Sequence, residues 1–319
     1  MFAIYLGPYF LMLSGIVTNP AIVFALWILM GLGMAGIGLS VMHDANHGAY
    51  SEKKWVNKLM SYSMNLIGAN SQIWRMQHNQ LHHTYTNIEG MDDDINTPGI
   101  LRFSPNAKLH WVHKYQYIYV WFLYGLATLS WTTTKEFGQA IRYNNLGLIK
   151  SKAEFRQLFS RLVLIKVLYF TYTLVIPLIF FPYSALLIAM SFIAMHFVAG
   201  FIISLIFQTA HVMPDCSYPL PAESGNIDNT WAIHELQTTS NYAPTSRIFS
   251  WFIGGLNFQV EHHLFPKICH IHYKGISKIV ASTAKEFNVP YNTQRTFLSA
   301  IWTHTKMLHS LGKPDVKYA

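Results

Sequence analysis

The chain has 319 residues, of which 51% are apolar and only 12% are charged. This composition excludes an ordinary soluble globular domain. The formal net charge is +8, but it is unevenly distributed: residues 1–42 contain no Asp, Glu, Lys or Arg, and residues 162–208 contain one, Lys166.

Four apolar segments are each close to the roughly 20 residues that a helix needs to cross a bilayer. They cover residues 1–18, 21–42, 162–181 and 185–208, and the short uncharged connectors predict two hairpins. The polar segments 43–161 and 209–319 carry 13 basic against 8 acidic residues and 9 against 7. Basic loops favour the cytoplasmic side, so both segments are predicted to be cytoplasmic. The positive charge fits anionic lipid head groups and requires no nucleic acid.

Two further segments, Leu59–Trp74 and Tyr117–Thr134, are apolar enough to suggest membrane contact. One additional crossing would place the histidine clusters described below on opposite faces of the membrane. We therefore predict that both segments are interfacial helices. Strand signals are poor, and no repeat or linker is evident. The predicted fold is an all-α integral membrane protein, a single domain over residues 1–319, with four transmembrane helices and a helical cytoplasmic cap.

Histidines occur in three clusters at metal-ligand spacing. The first contains His43 and His47, the second His78, His82 and His83, and the third His262 and His263, with Gln259 one turn earlier and His211 standing alone. On a helix, residues four apart share a face, and adjacent residues point about 100° apart. Imidazole binds iron, zinc and copper, and eight imidazoles exceed the four ligands of a structural zinc site. The pattern predicts a di-metal site at the cytoplasmic surface, held by the cap.

The other histidines give weaker signals. His196 lies in the middle of a predicted span, where a functional group and a hydrogen-bonded core residue are equally plausible. Surface or interfacial positions are predicted for His110, His113, His304 and His309, whereas His234, His270 and His272 are candidates for contacts around the ligands. The run Asp92–Asp94 fits either a solvated turn or hydrogen-bond acceptors for ligand imidazoles.

The three clusters resemble the histidine boxes of membrane fatty acid desaturases, and the match in order and spacing covers nearly the whole chain. Gln259 is similar to the residue that marks the front-end subgroup, whose members insert a double bond between an existing one and the carboxyl end. The residues around the boxes are most similar to bacterial and cyanobacterial Δ6-type enzymes.

The resemblance implies two iron ions, O2 as co-substrate and two electrons. It assigns as metal ligands and catalytic positions His43, His47, His78, His82, His83, His262 and His263, and adds His211 as a metal ligand. Gln259 would bind iron directly, through a water, or not at all, since a carboxamide is a weaker ligand than imidazole.

The resemblance also implies partners and a location. Many front-end enzymes carry a cytochrome b5 domain with a His-Pro-Gly-Gly motif. This sequence has no such motif, so electrons are expected from a separate ferredoxin or cytochrome b5. The expected substrate is a fatty acyl chain linked to a membrane lipid or to CoA. The expected location is a bacterial inner membrane, with the active site on the cytoplasmic side.

Two alternatives remain open at this stage. A membrane hydroxylase of the same superfamily would share the histidine scaffold and differ only in the fate of the substrate radical. A metal-binding transporter would place its ligands within the spans along a pathway, whereas these histidines fall in the predicted cytoplasmic segments.

Overall fold

The computed structural model describes residues 1–97 and 99–314 and is mostly helical, which confirms the predicted class at that level. The chain divides into two compact units. The first comprises Met1–Asn46, Lys53–Met76 and Phe122–Ser204, and the second comprises His47–Glu52, Gln77–Trp121 and the chain from Leu205 onward.

The elements follow one another in this order. The α-helices of the first half are α1 (Phe2–Leu13), α2 (Pro20–Gly36), α3 (His43–His47), α4 (Lys54–Ser61), α5 (Ser63–Leu66), α6 (Ser71–Arg75), α7 (His83–Tyr85), α8 (Gln116–Ser130) and α9 (Glu136–Asn145). Then come α10 (Lys152–Phe170), α11 (Ile176–Phe180), α12 (Ala185–His211), α13 (Trp231–Thr238), α14 (Arg247–Phe252), α15 (Gln259–Leu264), α16 (Tyr273–Glu286) and α17 (Phe297–Leu311). Strands β1 (Ser240–Tyr242) and β2 (Asn292–Gln294) complete the second half. Stretches of π-helix join several of the helices, among them Ile37–Met42 and Met76–His82.

Three continuous helices are long and apolar enough to cross a membrane: Pro20–His47, Lys152–Phe180 and Ala185–His211. They contain the predicted spans 21–42 and 185–208 and all but the last residue of 162–181. Asn19 caps the first of them by accepting a hydrogen bond from Ala21 N at 2.9 Å, and Pro20 occupies the first turn, where its missing N–H costs nothing. The first predicted span forms only the 12-residue α1. A helix of this length rises about 18 Å, less than the roughly 30 Å hydrocarbon core.

The core of the first unit is built from aromatic and methionine side chains of α1, α2, α10 and α12. Tyr5, Trp27 and Met195 are fully buried there. Helices α1 and α2 pack so closely that a Cβ atom at Gly33 would lie 2.6 Å from the backbone nitrogen of Tyr5. The glycine therefore permits the contact of the N-terminal hairpin.

The first unit also buries an ion pair. Lys166 Nζ lies 2.5 Å from Glu136 Oε2 and also donates to the carbonyl oxygens of Gly68 and Trp131. The other carboxylate oxygen of Glu136 accepts from Asn70 N at 2.6 Å. All three hydrogen-bonding positions of the ammonium group have acceptors, as a buried charge requires.

The second unit contains a small parallel sheet of β1 and β2, with Ser240 opposite Asn292.

Two of the predicted surface histidines are buried in the second unit. His113 and His304 are buried, and each ring has a backbone acceptor. Nε2 of His113 lies 2.9 Å from the carbonyl oxygen of Gly99, and Nδ1 of His304 lies 2.8 Å from that of Val212. A carbonyl acceptor satisfies a neutral imidazole as well as water does, so burial carries no large penalty. His110 and His309 are exposed, as predicted.

Candidate metal centre

The third histidine cluster lies on the short helix α15, which the buried carboxylate of Glu261 holds in place. Glu261 Oε2 accepts from Asn241 Nδ2 at 2.8 Å, and Oε1 accepts from the Tyr291 hydroxyl at 2.9 Å. The Asn241 side chain also accepts from Val260 N at 2.9 Å. Burial raises the pKa of Glu261, and these donors oppose the rise. The network fixes the orientation of His262 and His263, which directly follow Glu261.

His82, His211 and His263 form one group of the second unit. Their ligand nitrogens lie within 4.8 Å of one another, and the residues are almost completely buried. The Nε2 atom of each of these three rings has no hydrogen-bond partner among the residues that the structure describes. Buried polar atoms are rarely left in this state, and three of them converging on one point is the arrangement that a bound cation resolves.

The Nδ1 atoms of these three rings each lie within hydrogen-bond distance of an acceptor. Nδ1 of His82 lies 3.0 Å from Asp92 Oδ1, Nδ1 of His263 lies 2.7 Å from Glu235 Oε2, and Nδ1 of His211 lies 3.3 Å from the Thr238 carbonyl oxygen. With Nδ1 donating to these acceptors, each Nε2 presents its lone pair to the centre. Metal-binding histidines are oriented by such contacts.

Electrostatics at this group favour a cation. Burial opposes protonation of His82, but the carboxylates of Asp92 and Asp94 outweigh it and raise the pKa of His82 to about 9. Burial and the neighbouring imidazoles lower the pKa of His263 well below its ordinary value. Burial raises the pKa of Glu235 to about 8, although His82 opposes the rise. Positive charge is therefore stabilised beside Asp92, and a metal ion can replace the proton on His82.

A second group contains His47, His78 and His262, whose ligand nitrogens also lie within 4.8 Å of one another. His83 belongs beside it, because its Nε2 lies 3.2 Å from that of His78 and 3.0 Å from that of His262. The remaining pair, His78 and His262, is 3.4 Å apart. Nitrogens bound to one metal at about 2.1 Å are separated by about 3.0–3.4 Å, so these spacings suit a common ion.

The π-helix over Met76–His82 explains why His78 meets His83. Hydrogen bonding from residue i to i+5 widens the turn and brings residues five apart together, whereas an α-helix aligns residues four apart. The sequence predicts the α-helical pairing of His78 with His82. In the structure the rings of His78 and His82 do stack, with centroids 5.2 Å apart. Nε2 of His78 in addition lies 3.2 Å from that of His83, and His82 also belongs to the group with His211 and His263.

Two further predicted site residues, His43 and Gln259, are also buried. His43 is buried in the first unit, with its ring 5.5 Å from that of Trp74, and it precedes His47 by one turn of α3. Gln259 is buried at the first position of α15, beside the Tyr242 hydroxyl. His234 is buried next to Glu235, while His270 is half-buried and His272 exposed.

Sequence reasoning missed Glu235, Thr238 and Glu261 as contributors to this site. Glu235 and Glu261 are two of only 15 acidic residues in the chain, and each lies within two residues of a histidine. This proximity in a charge-poor sequence was an available signal. No sequence signal identifies the Thr238 carbonyl, because any residue supplies a backbone acceptor.

Comparisons with known proteins agree with the histidine pattern. A family model described as fatty acid desaturase matches residues 19–295. The chain is 36% identical over 300 residues to an acyl-lipid (8-3)-desaturase of Physcomitrium patens, covering 92% of this chain and 61% of that protein. It is 34% identical to an sn-1 linoleoyl-lipid 6-desaturase of Arthrospira platensis, covering 91% and 78%, and 35% identical to one of Synechocystis, covering 90% and 79%. The chain thus spans about three fifths of the moss relative and about four fifths of the two cyanobacterial ones.

Proposed function

Since the chain belongs to the fatty acid desaturase family, a family of oxidoreductases, we propose that it introduces a cis double bond into a fatty acyl chain in an O2-dependent reaction. We propose front-end, Δ6-like regiochemistry on a lipid-linked acyl chain. The names of the cyanobacterial relatives support this position and this carrier, and the acyl-lipid (8-3) relative supports front-end action more broadly.

The observation that carries the proposal is the convergence on one point of three buried Nε2 atoms that have no hydrogen-bond partner in the described part of the chain. In the proposed site His82, His211 and His263 hold one iron. His43, His47, His78, His83 and His262 hold the other, and Gln259 lies beside the pair. Two irons would supply, with O2 and two electrons, the oxidising power that an unactivated C–H bond requires.

The chain's own residues hold the imidazoles ready for this role. Asp92 and Glu235 accept from Nδ1 and so keep the Nε2 lone pairs directed at the metal position. The buried surroundings exclude water, which protects a reactive centre from side reactions. The proposed electron source is a separate ferredoxin or cytochrome b5.

We also propose that the whole chain is one membrane domain that crosses the bilayer four times in two hairpins, in a bacterial inner membrane with the histidines facing the cytoplasm. The contact of α1 with α2 supports the first hairpin. The topology is tested in a Cys216→Ser, Cys269→Ser background with a new cysteine at Thr18 or at Ser151, both exposed. A membrane-impermeant thiol reagent applied from outside should label only the first, and labelling of both or only of the second would reject the topology.

The activity is tested by expression, together with a ferredoxin and its reductase, in a host that lacks polyunsaturated fatty acids and receives linoleate. Gas chromatography–mass spectrometry with double-bond localisation should find a new double bond on the carboxyl side of the existing ones. The product should be absent with the His263→Ala variant and present with His272→Ala, which replaces an exposed histidine. A hydroxylated product, or a double bond on the methyl side, would contradict the proposal.

A further inference from the structure

A cationic cavity of about 260 Å³ lies in the second unit, between α14 and the start of α16. Its walls include the basic side chains of Arg247, His270 and Lys274 and the hydroxyls of Ser246 and Ser250. None of the ten described residues that line it is acidic. Basic side chains gathered around a concave surface favour an anionic ligand.

Gly255 gives this cavity its shape. Its backbone has φ +68°, and a Cβ atom there would lie 2.8 Å from Cβ of His270. Only glycine tolerates both the left-handed conformation and this approach. The loop before α15 can therefore close against His270.

Large apolar side chains surround the same cavity and face solvent. Trp251 is 63% exposed, Ile271 is 69% exposed, and Ile248, next to Arg247, is 82% exposed. Tryptophan and long cationic side chains are enriched together at the membrane–water interface, where a ring lies among head groups and charges meet lipid phosphates. The arrangement complements a lipid head group in both its charged and its apolar parts.

We propose that this cavity binds the phosphate group of a membrane phospholipid. Arg247 and Lys274 neutralise the phosphate, the hydroxyl of Ser246 donates to it, and Trp251 and Ile271 contact the glycerol and the first methylenes. The cavity is smaller than the roughly 300 Å³ at which pockets begin to enclose a drug-sized ligand, which favours a head-group phosphate over a whole coenzyme.

Two lining residues of the cavity are neighbours in the chain of residues at the histidine centre. Lys274 follows Tyr273, whose hydroxyl lies 3.3 Å from Nδ1 of His262. Phe258, another lining residue, immediately precedes α15. A lipid bound here would contact α16, which carries Tyr273, and the residue that immediately precedes α15. The proposal concerns lipid binding and stands independently of the reaction.

The test measures binding of dioctanoyl-phosphatidylglycerol to the purified full chain in detergent, by native mass spectrometry and by tryptophan fluorescence. The Arg247→Gln, Lys274→Gln double variant should bind about 30-fold more weakly, because the loss of each cation near a lipid phosphate should weaken binding about 5-fold. The matched control is Lys278→Gln, Lys285→Gln, which removes two exposed cations of α16 outside the cavity and should bind like the parent. All three proteins should share one unfolding temperature, because the altered side chains are exposed.

Comparison ligands identify the source of the phosphate. Dioctanoylglycerol, which lacks the phosphate, should bind at least tenfold more weakly than the phospholipid, and inorganic phosphate and CoA should compete poorly. Equal affinity for the double variant and the control would overturn the proposal. Tight, cavity-dependent binding of inorganic phosphate or CoA would assign the site to that ligand and reject the lipid. If the double variant bound an acidic ferredoxin more weakly than the parent but bound the phospholipid equally well, the surface would be a protein-docking site and the lipid proposal would be rejected.

Discussion

Glu235 Oε2 lies 2.7 Å from Nδ1 of His263, and the side chains of both residues are completely buried. The same oxygen accepts from the Thr86 hydroxyl at 3.0 Å, so the carboxylate is held from a second side. A buried carboxyl group in this position is costly unless a cation compensates for it. The contact therefore orients a proposed ligand and places a carboxyl group beside the proposed metal position.

Replacing Glu235 with Gln should lower iron affinity and desaturase activity by about 10- to 100-fold, the usual effect of losing a carboxylate behind a ligand histidine. The amide fills the same volume but is a weaker acceptor and carries no charge. Iron per chain, measured by mass spectrometry after dialysis against a weak chelator, separates this effect from misfolding. Glu286→Gln, at an exposed position of α16, is the matched control. Unchanged iron retention in Glu235→Gln would show that the carboxylate does not support the metal.

Replacing His211 with Ala should remove one of the two proposed irons and leave the other. Its Nε2 converges with those of His82 and His263, whereas the other group has its own imidazoles. We expect the metal content to fall from about two irons to about one per chain, with activity abolished, because the chemistry requires both. His272→Ala should retain both irons. Loss of both irons in His211→Ala, with the helical content preserved, would show that the two groups do not bind metal separately.

Much of the candidate site could be predicted from the sequence, because its histidines can be recognised by residue type. The three clusters and His211 are visible from residue identity alone. Their division into groups is less accessible, because the π-helix over Met76–His82 brings His83 against His78 in addition to His82. A one-residue change in helical repeat leaves no compositional trace.

The same limitation applies to buried polar residues. His304 and Lys166 look like surface or edge residues by type, and each is buried because a partner remote in sequence satisfies it. The three long apolar helices were predictable from the absence of charge. By contrast, α1 ends at Leu13, five residues before the predicted end of its span, where Gly15 adopts φ +72°.

Replacing Lys166 with Met should destabilise the first unit by about 3–5 kcal/mol, because Glu136 would keep a buried charge without its partner. The Lys166→Met, Glu136→Leu double variant should recover most of the loss, since apolar replacement of a whole buried pair is often nearly neutral. Unfolding midpoints in mixed detergent measure both effects. Lys152→Met, at the exposed start of the same helix, should change little. A single variant as stable as the parent would mean that Glu136 is protonated and the pair is not ionic.

His304 should make the protein less stable in mild acid. Burial lowers the pKa of His304 to about 4, although its hydrogen bond to the Val212 carbonyl opposes the shift. The unfolded chain takes up this proton near pH 6.5, whereas the folded chain resists until about pH 4, so the unfolded state binds more protons between these values. The contribution is fully present above pH 6.5 and falls by up to about 3 kcal/mol as the pH approaches 4.

The stability difference between the parent and His304→Gln, measured by denaturant unfolding, should therefore depend on pH. Glutamine retains a donor for the Val212 carbonyl but does not titrate, so its variant should lose less stability than the parent between pH 6.5 and pH 4. Taking the difference at each pH cancels the other buried histidines, which titrate in both proteins. The stability of His309→Gln, a variant on the exposed face of the same helix, should change with pH in parallel with that of the parent. A parallel profile for His304→Gln as well would show that His304 is protonated in the folded protein as readily as in the unfolded chain.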